Sequence, residues 1–433
     1  MKEPSKLLKM MFETDRWNDL LHKAVEKEID LKTIGELCYP QARKALFKAI
    51  YEDKYTIFPP KIAKIPKDNP GEFREVYVNT PIDRIVLTLI NDCLCELFSS
   101  MIHLKCKSYQ KGMGTQKVVK EVSNEITKML EKGEQNIGWK ADFSKYFDNV
   151  KIEAIDNVFN RIEEILGFER GTEPVINLLR RYYHQDFYFD SENILQNKYQ
   201  GLKQGCAVAS FLANVCLYEL DEYMSHKYKI YYRYSDDFIV IDKDTNKVIE
   251  ETNEIIKKYG VSLHPKKVER LHADKWFTFL GFKIKGNMIT LSKTRLNKFQ
   301  KEVEKRSINI KKRRKNYTGN QARKSIIRYL YEGEYNFATS CLKAINVEHD
   351  LNEMNKFIMD CIRACDTNKL KIGGLGSVNN LPDRTVLRGR GRNVTSNRLK
   401  TGYIEDYLSV NCLSKNIKMS KVLFEVTVRN MKG

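Results

Sequence analysis

Apolar positions change their spacing along the chain, and each change predicts a different element. In residues 1–60, Leu7, Leu8 and Met11 recur at helical spacing, as do later apolar residues, so this region is predicted to be rich in helices. Residues 85–98 are apolar on most positions, which predicts a largely buried helix.

A short acidic segment lies between two strand-like segments. Residues 230–233 and 238–241 are mostly β-branched or aromatic, and the four residues between them read Tyr-Ser-Asp-Asp. This pattern predicts a hairpin whose tip bears Asp236 and Asp237. Such turns are common on solvated surfaces, but the unbroken apolar run at 238–241 is typical of a buried strand. Adjacent carboxylates repel each other unless a cation lies between them, so the turn is a candidate site for a divalent metal.

A third carboxylate follows a second strand-like segment. Ile137, Trp139 and Ala141 alternate with other residues, and the predicted strand ends at Asp142. A carboxylate at the end of a strand can face the acidic hairpin if the strands share a sheet. The sequence therefore predicts three carboxylates at one site.

These two segments resemble the third and fifth motifs of reverse transcriptases, and other segments resemble the remaining motifs in the family's order. The detailed pattern is most similar to bacterial enzymes of the group II intron, retron and defence-associated kind. Serine at position 235 of the acidic turn, where alanine is commoner in the family, favours the defence-associated branch. The further matching segments are Lys61 to Pro66 with Arg74 and residues 81–86, Ser108-Tyr109 with residues 112–114, residues 200–210 with Leu212-Ala213-Asn214, residues 263–267, and residues 279–282.

The resemblance implies an α+β fold, the right-hand polymerase with fingers, palm and thumb. The expected parts are a helical N-terminal region (1–60), fingers (61–136), a catalytic palm (137–290), a basic helical thumb (291–370) and a basic C-terminal extension (371–433).

The resemblance also implies a metal-dependent mechanism. Asp142 and Asp236 are expected to hold two Mg²⁺ ions, with help from the carbonyl of Phe143, while Asp237 supports the site. One ion lowers the pKa of the primer 3′-hydroxyl, and the other binds the triphosphate and the leaving pyrophosphate.

Four further residues have expected roles at the nucleotide. Arg74 is a candidate for binding the triphosphate, and Gln204 for contacting the nucleotide or the template backbone. Lys267 is expected to protonate the pyrophosphate, although Lys266 fills that role if the register is shifted by one. Phe147 occupies the position where the family has a ring under the sugar, which selects deoxynucleotides; alternatively it is a core residue at a helix start.

Net charge is +19 but unevenly distributed. Residues 293–328 contribute +12 and residues 371–433 contribute +8, whereas the first 292 residues contribute only +2. The spacing of apolar residues in 293–328 predicts basic helices that bind a nucleic-acid backbone, with a solvated helix face as the alternative. The candidate nucleic-acid contacts are Lys311, Lys312, Arg313, Arg314, Arg388, Arg390 and Arg392.

The ten cysteines include no paired Cys-x-x-Cys set, so a structural zinc is not expected, and Cys361 and Cys365 are predicted to share a buried helix face. No apolar stretch approaches the ~18 residues of a membrane span. We expect a cytoplasmic protein with reduced thiols and no membrane partner.

Together these observations predict an RNA-directed DNA polymerase that copies a cognate structured noncoding RNA into cDNA from dNTPs, in antiphage defence. The sequence shows no Cys/His cluster of the endonuclease type, which favours this role. Two alternatives are a group II intron maturase with reverse transcriptase activity, and an RNA-binding protein with a decayed polymerase centre.

Overall fold

The computed structural model describes residues 3–24, 31–37, 39–66, 71–134, 137–197, 201–333 and 336–368. Gln200 and the predicted C-terminal extension, with Arg388, Arg390, Arg392 and a strand predicted at 422–428, lie outside the described residues. The chain divides into two compact units. The first consists of Met1–Gly112 and Trp139–Arg270, and the second of Met113–Gly138 and the described residues from Leu271 onward.

Helices and strands are interspersed throughout the described chain, so the predicted α+β content is confirmed. The helices are α1 (Lys6–Met11), α2 (Thr14–Ala24), α3 (Leu31–Leu37), α4 (Pro40–Tyr51), α5 (Pro81–Leu97), α6 (Thr115–Glu131), α7 (Tyr146–Asn149), α8 (Ile152–Leu166), α9 (Pro174–His184), α10 (Ala209–Val215), α11 (Tyr218–Lys227), α12 (Val248–Lys257), α13 (Lys293–Lys305), α14 (Ile308–Arg313), α15 (Gly319–Tyr331) and α16 (Glu348–Thr367), with a 3₁₀ turn at Ser99–Met101 and a π-helical turn at Ala338–Leu342. The strands are β1 (Lys61–Pro66), β2 (Phe73–Val78), β3 (Ile137–Asp142), β4 (Phe187–Phe189), β5 (Leu195–Asn197), β6 (Ile230–Tyr234), β7 (Asp237–Asp242), β8 (Glu269–His272), β9 (Phe277–Phe279), β10 (Phe282–Lys285) and β11 (Met288–Leu291).

The sheet that presents the acidic turn has the strand order β6-β7-β3-β8. Strands β6 and β7 form the predicted antiparallel hairpin, from the Ile230 and Ile241 pair to the Tyr234 and Asp237 pair. Phe238, like the rest of the apolar run that follows it, is fully buried, as an uninterrupted apolar strand predicts. Because β3 is the neighbour of β7, the strand that ends at Asp142 runs beside the hairpin.

The predicted apolar helix of the fingers region is α5, and its start is fixed by local chemistry. Thr80 caps the helix by accepting a hydrogen bond from the backbone N–H of Asp83, and Pro81 occupies the first helical position. The Asp83 carboxylate is buried and accepts bonds from the hydroxyls of Tyr55 and Thr80 and from the backbone N–H of Phe58. This aspartate of the first motif-like segment therefore organises the fold.

A second sheet of the first unit has the order β2-β1-β4-β5, and β1 and β2 pair along their whole length. The loop at 201–206 lies against β2, where the backbone N–H of Tyr77 donates to the carbonyl of Gln204 at 2.6 Å. A Cβ at Gly205 would lie 2.7 Å from the carbonyl oxygen of Tyr77, and its φ is +107°. Only glycine allows the loop this close approach.

In the second unit, helix α6 packs on the sheet β11-β10-β9. Helix α16 packs against α13, α14 and α15. The basic helices predicted in 293–328 are confirmed as α13–α15. Cys361 and Cys365 are both buried on α16, as their spacing predicts. Within the described residues, every helix is too short or too polar to cross a membrane.

Candidate active site

The acidic turn is tied directly to the end of β3. Only Ser235 and Asp236 lie between the paired residues Tyr234 and Asp237, and Ser235 has a φ of +61°. The backbone N–H of Phe143, the residue after Asp142, donates to the carbonyl of Asp236 at 3.0 Å. The structure therefore brings the two predicted carboxylate segments together.

The three carboxylates influence one another electrostatically. Burial, with repulsion from Asp142, raises the pKa of Asp236. Burial also raises the pKa of Asp237 to about 7, and the charges of Asp236 and Asp142 act in the same direction. Only nearby carboxylates produce this repulsion, so the site concentrates negative charge that a cation would relieve.

Lys267 is the cation that contacts the acidic site. Its Nζ donates to Oδ2 of Asp142 at 2.7 Å, while its side chain stays half exposed. Burial opposes its charge, but the hydrogen bond to Asp142 and the neighbouring carboxylates raise the pKa of Lys267 overall. Lys266 is exposed, and the contact with Asp142 is made by Lys267, the register chosen from the sequence.

The carboxylates do not form a ready-made metal cage. In the described ranges, no three His, Cys, Asp or Glu side chains converge closely enough to hold a metal ion. The donor set nevertheless suits Mg²⁺, which prefers carboxylate oxygens and keeps several waters. Asp142 would hold such an ion with a carboxylate that also accepts a hydrogen bond from Lys267. The residues therefore fit a divalent ion that keeps several of its waters better than an ion held by protein ligands alone.

A buried polar network supports the turn from behind. Arg233 and Asp221 are both 0% exposed and form a bidentate ion pair, with distances of 2.7 and 2.6 Å. Arg233 also donates to the carbonyl of Ser235 at 3.1 Å. On the other side, the N–H of Ser235 donates to Oγ of Ser108 at 2.9 Å, and this hydroxyl donates to Oδ1 of Asn214 at 2.6 Å. Both backbone groups of Ser235 are thus held by buried side chains.

Phe147 lies near the same turn, on α7. It is half-buried, and its ring meets Tyr109 edge to face at 6.5 Å and Tyr146 at 5.7 Å between centroids. The hydroxyl of Tyr109 lies 3.1 Å from Oγ of Ser235. Phe147 therefore has core contacts and an accessible part, and the two interpretations made from the sequence both remain compatible with its position.

Arg74 and Gln204 lie on the sheet β2-β1-β4-β5 and its adjoining loop. Arg74 is exposed on β2 opposite Ile65, and its positive charge reaches the hydroxyl of Tyr109. Gln204 is half-buried next to Lys203, whose ammonium donates to the carbonyls at the end of α9 and whose pKa burial lowers to about 8. The Gln204 loop is therefore pinned to both β2 and α9.

The basic candidates of the second unit behave differently from one another. Lys311 is buried, and its Nζ donates to the carbonyls of Lys315 and Tyr317 at 2.6 and 2.9 Å. The ammonium closes the end of α14, an arrangement that does not favour its predicted role as a nucleic-acid contact. Lys312, Arg313 and Arg314 are exposed.

Several supporting residues have no signal of their own in the sequence. Arg233 and Asp221 are ordinary members of a strand and a helix until the structure shows them buried and paired. Ser108, Tyr109 and Asn214 belong to motif-like segments, and this membership was the signal available for them. What the sequence did not indicate is that all of them converge on Ser235.

Residues 65–284, just over half of the chain, match the reverse transcriptase (RNA-dependent DNA polymerase) domain. The protein is thus of the polymerase class. More specifically, the chain belongs to the reverse transcriptase family.

The individual proteins to which the chain is similar have low sequence identity to it. The putative COX1/OXI3 intron 1 protein of Saccharomyces cerevisiae is 25% identical over 178 residues, which cover 41% of this chain and 20% of the yeast protein. Among solved structures, telomerase from Candida albicans, in complex with a TWJ fragment of telomeric RNA, gives a TM-score of 0.41 at 12% identity and covers 76% of this chain and 64% of its own. Apo telomerase from Candida tropicalis gives 0.44 at 15% identity, covering 71% and 58%. The chain spans less than two thirds of each.

Proposed function

We propose that this protein is an RNA-directed DNA polymerase that copies an RNA template into cDNA from dNTPs. The observation that supports the proposal most strongly is the hydrogen bond from Phe143 N–H to the Asp236 carbonyl, which places a strand-end carboxylate beside an acidic turn. Family membership supplies the reaction class.

Reverse transcriptase domains generally use divalent metal ions. In this chain, Asp142 and Asp236 would hold two Mg²⁺ ions, with the Phe143 carbonyl assisting and Asp237 completing the negative field. When bound, the ions activate the primer 3′-hydroxyl and neutralise the triphosphate and the leaving pyrophosphate. The carboxylates would bind and orient the ions, and the polar network behind Ser235 would keep the spacing of the carboxylates fixed.

The remaining residues act on the nucleotide. Lys267 bears a proton on a half-exposed ammonium beside Asp142, so it can donate that proton to the leaving pyrophosphate. Arg74 can pair with the triphosphate from an exposed strand position, and the pinned loop of Gln204 can approach the nucleotide or template closely. The ring of Phe147 would exclude a 2′-hydroxyl.

The test uses purified full-length protein on a primed RNA template with dNTPs and Mg²⁺. Replacing Asp236 and Asp237 with Asn keeps the shape of the side chains and removes their charge. DNA synthesis should therefore fall by at least about a thousandfold, which is the upper end of the loss in kcat when one electrostatic catalytic group is removed. RNA affinity, measured by fluorescence anisotropy, should not decrease. Asp242→Asn is the matched control at the other end of β7, where the carboxylate accepts bonds from the backbone N–H groups of Lys229 and Lys243. Wild-type synthesis by the double variant would refute the proposed role of these carboxylates, and absence of synthesis by the wild-type protein would leave the interpretation of a decayed centre.

For the biological setting, we propose that the template is a cognate structured noncoding RNA and that the protein acts in antiphage defence in the cytoplasm, on the basis of Ser235 in the acidic turn. The similarity to a yeast intron protein favours the second candidate, a group II intron maturase with reverse transcriptase activity. Sequencing the RNA and DNA that copurify with the protein, with and without phage infection, distinguishes them. A short structured RNA with matching cDNA supports the first, and intron RNA supports the second.

A further inference from the structure

We propose that Tyr109 determines the sugar specificity of the polymerase by holding the ring of Phe147 in place. This inference rests on the proposed function and adds to it a residue for which the sequence indicated no role. Tyr109 would form the outer wall of the nucleotide pocket and connect that wall to the acidic turn.

The contacts of Tyr109 link two parts of the site. Its ring meets Phe147 at an interplanar angle of 90°, with 6.5 Å between centroids, and its hydroxyl lies 3.1 Å from Oγ of Ser235. Tyr146, which also contacts the ring of Phe147, is buried and donates its hydroxyl to the carbonyl of Ala213 at 2.7 Å. Phe147 thus contacts one tyrosine that is fixed in the core and another that is 48% exposed.

The backbone shows that this position of Tyr109 is imposed by its surroundings. Its φ is +54°, a left-handed conformation that bulky aromatic residues rarely adopt. The preceding segment is fixed on both sides: Lys107 N–H donates to the carbonyl of Arg233, and Arg233 N–H donates to that of Lys105. Ser108, the immediate neighbour, is bonded to the N–H of Ser235. In this conformation the ring of Tyr109 contacts Phe147.

The chemical consequence concerns the 2′-hydroxyl of the incoming nucleotide. A ring excludes this group only if it cannot move aside, and an edge-to-face partner resists that movement. The charges of Asp236 and Arg74 both act on the pKa of the Tyr109 hydroxyl, so this residue is near both groups. A ring at this position limits the width of the pocket.

The experiment compares ribonucleotide and deoxynucleotide incorporation by full-length protein on one primer and template. Tyr109→Asn removes the ring but tolerates the left-handed backbone, so the discrimination in kcat/KM should fall by up to about tenfold, the factor for one lost aromatic pair. Tyr109→Phe keeps the ring and loses the bond to Ser235, so kcat should fall for both sugars while discrimination is retained. Discrimination equal to that of the wild type in Tyr109→Asn would overturn the proposal.

Two further arms separate this mechanism from a general loss of structure. In the Phe147→Ala background, Tyr109→Asn should change discrimination no further, because the ring that it supports is absent; an additive loss would contradict the proposal. Tyr39→Ala, at an exposed tyrosine that caps α4 without a side-chain bond, is the control. If Tyr109→Asn does not fold, Tyr109→Gly also removes the ring and accommodates the left-handed backbone, and unchanged discrimination there counts equally against the proposal. Absence of DNA synthesis by the wild type would refute the proposed function itself.

Discussion

The acidic turn of the first unit and the basic end of α14 in the second unit both concentrate charge, but they hold it differently. At the turn, Ser235 is bonded through both of its backbone groups to buried side chains, so the carboxylates beside it have a fixed position. At α14, Lys312, Arg313 and Arg314 extend into solvent from the end of a short helix. The first arrangement suits chemistry that depends on exact distances, and the second suits contact with a flexible polyanion.

Replacement of Arg233, which supports the acidic turn, is expected to have the largest effect. Replacing it with Met leaves the Asp221 carboxylate buried without its cation and frees the Ser235 carbonyl. Removing one partner of a buried ion pair costs about 3–5 kcal/mol, so the free energy of unfolding should fall by that order and DNA synthesis should be lost. Thermal unfolding and primer extension measure the two effects.

A second variant separates folding from positioning. Arg233→Met with Asp221→Asn removes both charges, which should recover much of the stability but not the activity, since the Ser235 carbonyl remains unsupported. The matched control is Arg180→Met, which breaks another ion pair of the same unit, with the fully buried Glu163. It should lower stability without a comparable loss of kcat. Recovery of full activity in the double variant would show that Arg233 only stabilises the fold.

Ser108 tests the other side of the turn. Ser108→Ala leaves the buried N–H of Ser235 without an acceptor, which should lower the free energy of unfolding by about 1–3 kcal/mol. The variant should also reduce kcat by a larger factor than it changes the KM for dNTPs. Ser123→Ala is a matched deletion, because Ser123 is a buried serine of α6 in the second unit that donates to the carbonyl of Gly286 at 2.7 Å. Equal losses of kcat in the two variants would argue against a positioning role for Ser108.

The sequence predicted the parts of the site that depend on local pattern. The strand ending at Asp142 and the hairpin at 230–241 follow from alternation and from an unbroken apolar run, and both are confirmed. The supporting network could not be predicted in the same way, because Ser108 and Ser235 are 127 residues apart and no local pattern pairs them. Lys311 shows a second limit: in a run of five cations, only the packing at the end of α14 shows which one is buried.

The basic region gives a prediction of intermediate size. Replacing Lys312, Arg313 and Arg314 together with Gln should reduce the slope of log affinity against log salt by about 2 on single-stranded RNA, since each lost phosphate contact contributes about 0.7. Titrations at several salt concentrations measure this slope. By contrast, Lys311→Met should lower stability and leave the slope unchanged, because its ammonium bonds backbone carbonyls.

A charge-matched control decides whether position matters or only net charge. Replacing Arg43, Lys44 and Lys48 of α4 with Gln removes the same charge from the first unit. If this variant reduces the slope as much as the α14 variant does, the end of α14 is no special contact region.

The smallest expected effect on DNA synthesis is at Glu173, far in sequence from every proposed site residue. This carboxylate is fully buried, caps α9 through the N–H of Ile176 and accepts the hydroxyl of Ser5; burial raises its pKa to about 7. Because the folded state binds the proton more tightly than the unfolded state, this group's contribution to stability is present below about pH 4.5 and is lost as the pH rises toward 7. Glu173→Gln should flatten that dependence and leave kcat at pH 7 unaltered.

Thermal unfolding between pH 5 and 7.5 measures the Glu173 effect directly. The melting temperature of the wild type should decrease relative to that of the Gln variant as the pH rises. Glu169→Gln, which also removes a carboxylate but at an exposed position, should follow the wild type. A fall in kcat of Glu173→Gln comparable to that of Ser108→Ala would show that the N-terminal helices, and not only the network behind Ser235, determine the geometry of the acidic turn.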